Sequence, residues 1–92
     1  MGKRKVKTHT FAEVLYDVDV EEPFEGICDF PRSGKRPALR VSADIDTQKG
    51  LESLLHECLH AEAWAKTEEV VDRASCDIAR LLWRLGFRRI KK

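Results

Sequence analysis

Apolar residues recur at every second position through the first half of the chain. Between Phe11 and Val20, residues Val14, Tyr16, Val18 and Val20 alternate with Glu13, Asp17 and Asp19, the period of a half-buried strand. Glu21, Glu22 and Pro23 break the run. A second extended segment, F-E-G-I-C-D-F, leads into P-R-S-G-K-R-P, whose prolines and central glycine suit an exposed loop between strands. In the third segment Leu39, Val41, Ala43 and Ile45 face one way and Arg40, Ser42, Asp44 and Asp46 the other. Short connections predict an antiparallel meander of these three strands.

After Asp46 the period changes. Asp46 or Thr47 can cap a helix, along which Leu51, Leu54, Leu55, Cys58, Ala61 and Ala65 recur at three- and four-residue spacing as a buried stripe. His56 and His60 fall nearly opposite that stripe, with Ser53, Glu57 and Trp64 on the same side. A second helix is predicted from Thr67 to Leu85, with Val71, Ala74, Ile78, Leu81, Leu82 and Leu85 as its apolar stripe and Gly86 as its stop. The short connection makes the two helices antiparallel neighbours. The fold class is therefore α+β, a three-stranded antiparallel sheet followed by two packed helices.

Composition narrows the function more than the fold. The chain has 92 residues, read as a single domain over 1–92 that buries only about 60 to 65% of its unfolded surface, so a bound metal would help its core. Seventeen Lys and Arg against 16 Asp and Glu give a net charge of +1, which supplies no global field for an acidic partner. The basic residues gather in G-K-R-K-V-K and R-R-I-K-K, read as frayed ends over 1–9 and 88–92; their alternative role is a foothold on nucleic acid, which is not favoured. No apolar run is long enough to span a bilayer, so the expectation is a cytoplasmic protein without a membrane partner. Cys28, Cys58 and Cys76 form no C-x-x-C pair and read as small buried apolar residues.

The candidate chemistry lies in L-L-H-E-C-L-H-A, Leu54 to Ala61. Residues i and i+4 stand one above the other on a helix, so His56 and His60 can direct ring nitrogens at one zinc ion, about 2.1 Å from each. Glu57, about 100° of rotation from His56, can miss the metal and reach a water as general base. The competing reading is two surface histidines beside an ordinary exposed glutamate. A third protein ligand is needed if one position is to stay open. His9 lies too early in the chain, and among Glu62, Glu68, Glu69, Asp72 and Asp77 the better placed are Glu68 and Glu69.

With these residues the chain resembles the gluzincin metallopeptidases, in which an H-E-x-x-H helix is followed by a second helix bearing a glutamate ligand. The matching positions are His56, Glu57, His60 and then Glu68 with Asp72. The spacing Glu68-x-x-x-Asp72 is that of a thermolysin-like ligand glutamate and the aspartate that orients a zinc-bound histidine. More closely, residues 38 to 90, above all H-E-C-L-H-A and L-L-W-R-L-G-F, look like small phage-encoded zincin-like proteins. The resemblance implies a minimal zincin-like domain in a host-cell cytoplasm, with Zn²⁺ as cofactor and a peptide or protein as substrate.

On this reading His56, His60 and Glu68 hold zinc and Glu57 is the catalytic base. The helical wheel supports Glu68 independently: it lies about 60° from Val71, toward the first helix, whereas Glu69, the alternative ligand, lies about 160° away. Asp72, one turn on, is in reach of a histidine N–H. The third strand, through Leu39, Arg40 and Val41, is the expected edge for an extended substrate. Tyr16, Arg40 and Trp64 are candidates to line the site, with packing or solvent contact as their competing roles. Larger gluzincins form their cleft from additional domains, which this chain has no room for, so a zincin-like interaction or regulatory module without catalysis, or a small nucleic-acid-binding protein, is the alternative to an enzyme.

Overall fold

The continuous strand expected from Phe11 is a hairpin. In the computed structural model, which describes residues 6–22, 27–28, 34–42 and 45–89, β1 (Thr8–Phe11) folds back on β2 (Val14–Glu22) with Phe11 opposite Val14 and His9 opposite Tyr16. The two turn residues, Ala12 and Glu13, have φ of 48° and 69°. Two consecutive positive φ values match the right-handed twist of the strands, but the usual sequence for such a turn is Asn-Gly or Asp-Gly. Ala-Glu carries no such signal, and the left-handed conformation costs an L-residue about 1 to 2 kcal/mol. Replacing Ala12-Glu13 by Asn-Gly is accordingly expected to stabilise the fold by about 1 to 2 kcal/mol, which for a domain of this size raises the melting temperature by roughly 4 to 8 °C per kcal/mol. Thermal unfolding of the double variant measures it, and an unchanged or lower midpoint would count against a strained turn.

β3 (Ile27–Cys28) and β4 (Ala38–Ser42) complete a four-stranded sheet in the order β1-β2-β4-β3. β4 runs parallel to β2, with Val18 opposite Leu39, and antiparallel to β3, with Ile27 opposite Arg40. The sheet is thus mostly but not strictly antiparallel, and the predicted meander is corrected: β4 inserts between β2 and β3. Leu39 is 1% exposed and Val41 fully buried, and a strand this apolar is best accommodated in the interior of the sheet. The segments 1–5, 23–26, 29–33, 43–44 and 90–92 lie outside the described residues. They include most of both basic ends, part of the P-R-S-G-K-R-P loop, and Ala43 and Asp44 of the third predicted strand.

Two helices follow, α1 (Gln48–Glu62) and α2 (Glu68–Leu85). Thr47 rather than Asp46 caps α1, its hydroxyl accepting from the Gly50 N–H at 3.0 Å, and Thr67 caps α2 by accepting from Val70 N–H at 3.2 Å. These bonds satisfy amides that have no partner within the helix. Gly86 stops α2 with φ of 93°, and Phe87 N–H reaches back to Leu82 O at 3.0 Å, as glycine at a left-handed cap allows. α1 ends at Glu62, earlier than its apolar stripe suggested, so Trp64 and the exposed Ala65 lie in the turn beyond it.

α1 is the middle layer. On one side Ala61, Leu54 and Cys58 pack against Tyr16, Leu39 and Val41 of the sheet. On the other lies α2, which among the described residues packs against α1 and no strand. This arrangement alters two expectations about α2. Val71 and Ala79 are fully buried, but Ile78, Leu81 and Leu85 are 40, 55 and 64% exposed, because a single neighbouring helix covers only part of a wide apolar arc. The chain beyond α2 is also held rather than frayed as far as Arg89. Arg88 lies over the Trp83 ring, 3.2 Å from its centroid, and Arg89 makes two hydrogen bonds to the Asp46 carboxylate at 3.1 and 2.6 Å. At the other end Thr8 and His9 are paired in β1.

Candidate metal centre

His56 and His60 sit one turn apart on α1, on the side that α2 covers. That cover leaves the two imidazoles only 19 and 15% exposed, unlike the surface histidines of the competing reading. The N-terminus of α2 brings Glu68 over them. Its Oε2 lies 3.0 Å from His56 Nε2 and its Oε1 2.9 Å from His60 Nε2, so one carboxylate spans both rings. Glu69 also occupies the first turn of α2, but Glu68 is the one that meets the histidines. The helix phase read from the wheel has the right sense, and the antiparallel packing turns it into contact.

The other nitrogen of His56, Nδ1, lies 3.0 Å from Asp72 Oδ1. That distance lets Nδ1–H donate to the Asp72 carboxylate, while Nε2 lies within hydrogen-bond distance of Glu68 Oε2. Such an outer carboxylate is the usual partner of a metal-ligating histidine, since it selects the tautomer and raises the basicity of the ring. His60 is held differently. Among the described residues its buried Nδ1 has no hydrogen-bond partner, while its ring stacks on Trp64 at 5.3 Å between centroids and 17° between planes. The two imidazoles meet edge to face, 4.8 Å apart.

The donor set suits a borderline-soft divalent cation. Among the described residues, His56, His60 and Glu68 form a group whose ligand atoms lie within 4.8 Å of one another, close enough for small side-chain movements to bring all three to a common ion at about 2.1 Å. Two imidazoles and a carboxylate are a zinc-compatible combination. Glu57 adjoins them without belonging to the group. Partial burial pushes its carboxyl above the ordinary value, against the pull of His56 and His60 and with a smaller contribution from Glu68. Its proton affinity is therefore raised in the direction useful to a general base. An open groove of about 480 Å³ runs from His56 and Asp72 past Glu57 to Ser53, Glu52 and Cys76.

The expected substrate edge is not where the sequence suggested. β4 is flanked by β2 and β3, so among the described residues it is not the edge of the sheet, with β3 opposite Leu39 and Arg40; Leu39 and Val41 point into the core and Arg40 is exposed. Tyr16 is fully buried on β2 and accepts a hydrogen bond from Trp64 Nε1 at 3.2 Å. The stacking of Trp64 on His60 is the one feature of the centre that the sequence reading missed, although the i, i+4 spacing of the two residues signals it. Of the cysteines, Cys58 is half-buried, with burial pushing its thiol up to about 11, Cys76 is exposed on α2 rather than buried, 3.7 Å from Glu52 Oε1, and the side chain of Cys28 lies outside the described residues. No described helix is long and apolar enough to cross a membrane.

No protein-family model matches the chain, and no curated protein or solved structure is significantly similar to it.

Proposed function

We propose that the chain is a zinc-dependent, gluzincin-like metallopeptidase in which His56, His60 and Glu68 hold the metal. The observation that carries this reading is the convergence of two imidazole nitrogens and one carboxylate from two helices, with Asp72 behind His56. A zinc ion held there would supply a Lewis acid that polarises the substrate carbonyl and acidifies a water. Glu57 accepts the proton of the attacking water on its carboxylate and returns it to the amine that leaves as the peptide bond breaks. Asp72 keeps His56 in the tautomer whose Nε2 is free to bind. The groove lined by His56, Glu57, Ser53 and Asp72 adjoins this centre and is the proposed approach for substrate.

A second reading, a metal-binding interaction module without catalysis, is favoured by one observation: β4, the strand beside α1, is internal. An activity assay separates the two. Protein purified without a histidine tag and without chelators is expected to carry about one zinc per chain and to hydrolyse members of a mixed peptide library. Dialysis against a chelator should abolish the hydrolysis and lower the melting temperature, with both restored by zinc, because a ligand that binds only the folded state stabilises it. Zinc well below one per chain would overturn the metal centre. Full zinc with no cleavage would leave the interaction module.

A further inference from the structure

The two imidazoles of the centre are oriented by unlike means. His56 has the Asp72 carboxylate at its Nδ1. The Nδ1 of His60 is buried and, among the described residues, has no hydrogen-bond partner, so no hydrogen bond fixes the rotation of its ring about Cβ–Cγ from that side. One face of the ring is instead covered by the near-parallel indole of Trp64. The indole is itself anchored. Trp64 lies beyond the end of α1, where Ala63 N–H bonds Leu59 O at 3.0 Å and Lys66 N–H bonds Ala63 O at 3.1 Å, which turns the chain so that the side chain folds back along the helix. Trp64 Nε1 donates to Tyr16 Oη at 3.2 Å, and Tyr16 is rigid: fully buried on β2, paired with His9 across the hairpin and edge-on to Phe11 at 5.5 Å and 87°.

We propose that Trp64, pinned by Tyr16, is a positioning residue that sets the plane of the His60 imidazole, doing by stacking what Asp72 does for His56 by a hydrogen bond. The proposal rests on the reading of His60 as a ligand for its purpose, and its geometry on the stacking of Trp64 and its bond to Tyr16. A flat aromatic surface at stacking distance removes the rotational freedom of a ring that has one bonded nitrogen, so the Nε2 lone pair is aimed before any ion arrives. Preorganisation of this kind appears as affinity, because the ordering cost is met on folding rather than on binding. The chain Tyr16–Trp64–His60 also ties the centre to the sheet, whereas Glu68 and Asp72 tie it to α2.

The test compares Trp64→Leu, Trp64→Phe and Tyr16→Phe with the parent by two readouts. The first is the long-range proton–nitrogen spectrum of the imidazoles in metal-free protein. Loss of the indole in Trp64→Leu is expected to remove its ring-current shift from the His60 signals and leave those of His56 near their places. Tyr16→Phe should move the Trp64 Nε1–H signal and the His60 signals together. The second is zinc affinity, by competition with a chromophoric chelator. Trp64→Leu is expected to weaken binding about 10- to 100-fold, the range of an orienting partner, and Trp64→Phe, which keeps a flat ring, should recover most of it. A merely space-filling Trp64 would also lose its ring-current shift on His60 in Trp64→Leu, but it would not move the affinity in that order, and Tyr16→Phe would leave the His60 signals in place. The proposal is overturned if the His60 signals stay put in Trp64→Leu, or if Phe is as damaging as Leu at matched melting temperature. Should Trp64→Leu not fold, Tyr16→Phe and Trp64→Phe decide by the same signals. Should the parent bind no zinc, the metal reading fails by itself, and the metal-free spectra alone decide for or against the stacking.

Discussion

On the proposed function, Glu57→Gln is expected to retain the fold and the zinc content and to lower peptide hydrolysis by about 100- to 10,000-fold, the usual contribution of a positioned general base. The amide occupies the same volume and still hydrogen-bonds a water, but it has no site for the water's proton. Glu57 is one position from His56 on α1, outside the group formed by His56, His60 and Glu68, so its loss as a carboxylate should not remove a ligand. Its charge is nonetheless felt there, since His56, His60 and Glu68 all act on its proton affinity. The glutamine variant should therefore show zinc content equal to the parent by elemental analysis, and the rate difference should appear in turnover at saturating peptide. Equal turnover in the two proteins would remove Glu57 from the mechanism.

Glu68→Gln is expected to produce the largest loss of metal affinity on α2, well beyond that of Asp72→Asn, while Glu69→Gln leaves it nearly unchanged. Glu68 reaches both rings with its two oxygens, at 3.0 and 2.9 Å, so the amide substitution removes the anionic oxygen of the proposed ligand and puts an N–H₂ group where an acceptor was. Asp72 touches only the far nitrogen of His56, and a change behind a ligand typically costs about 10- to 100-fold. Glu69 shares the favourable interaction of a carboxylate with a helix N-terminus and has no part in the group. Zinc titration of the three variants gives the order. A larger loss from Glu69→Gln than from Glu68→Gln would mean that α2 is rotated by about one residue, which is about 100°, from the arrangement described.

Much of this centre is local and therefore readable from spacing. An i, i+4 pair of histidines faces one way on any α-helix, and the caps Thr47 and Thr67 and the stop at Gly86 are short-range chemistry between a side chain or a left-handed residue and its own backbone. The same holds for the alternation that buries Tyr16, Leu39 and Val41 and for the α+β class. The misreadings arose where local signals were silent or ambiguous. Ala12-Glu13 makes a hairpin turn without a turn sequence, and the end of α1 at Glu62 leaves Ala65 outside a stripe whose periodicity runs on past it.

What periodicity cannot specify is which neighbour a given face will meet. The sequence by itself determined three of the four strand-forming segments, the two helices, and the presence of His56, Glu57, His60 and Glu68 on those helices at workable spacing. Only the tertiary structure decided that β4 enters the sheet beside β2 and so offers no edge, that α2 meets α1 alone and leaves Ile78, Leu81 and Leu85 exposed, and that Glu68 rather than Glu69 spans the histidines while Trp64 lies flat on one of them. The reason is physical. Side-chain periods follow from backbone geometry within a few residues, whereas strand order and helix contacts are set by competition among distant apolar surfaces for a small core, and that competition is settled only when the whole chain packs.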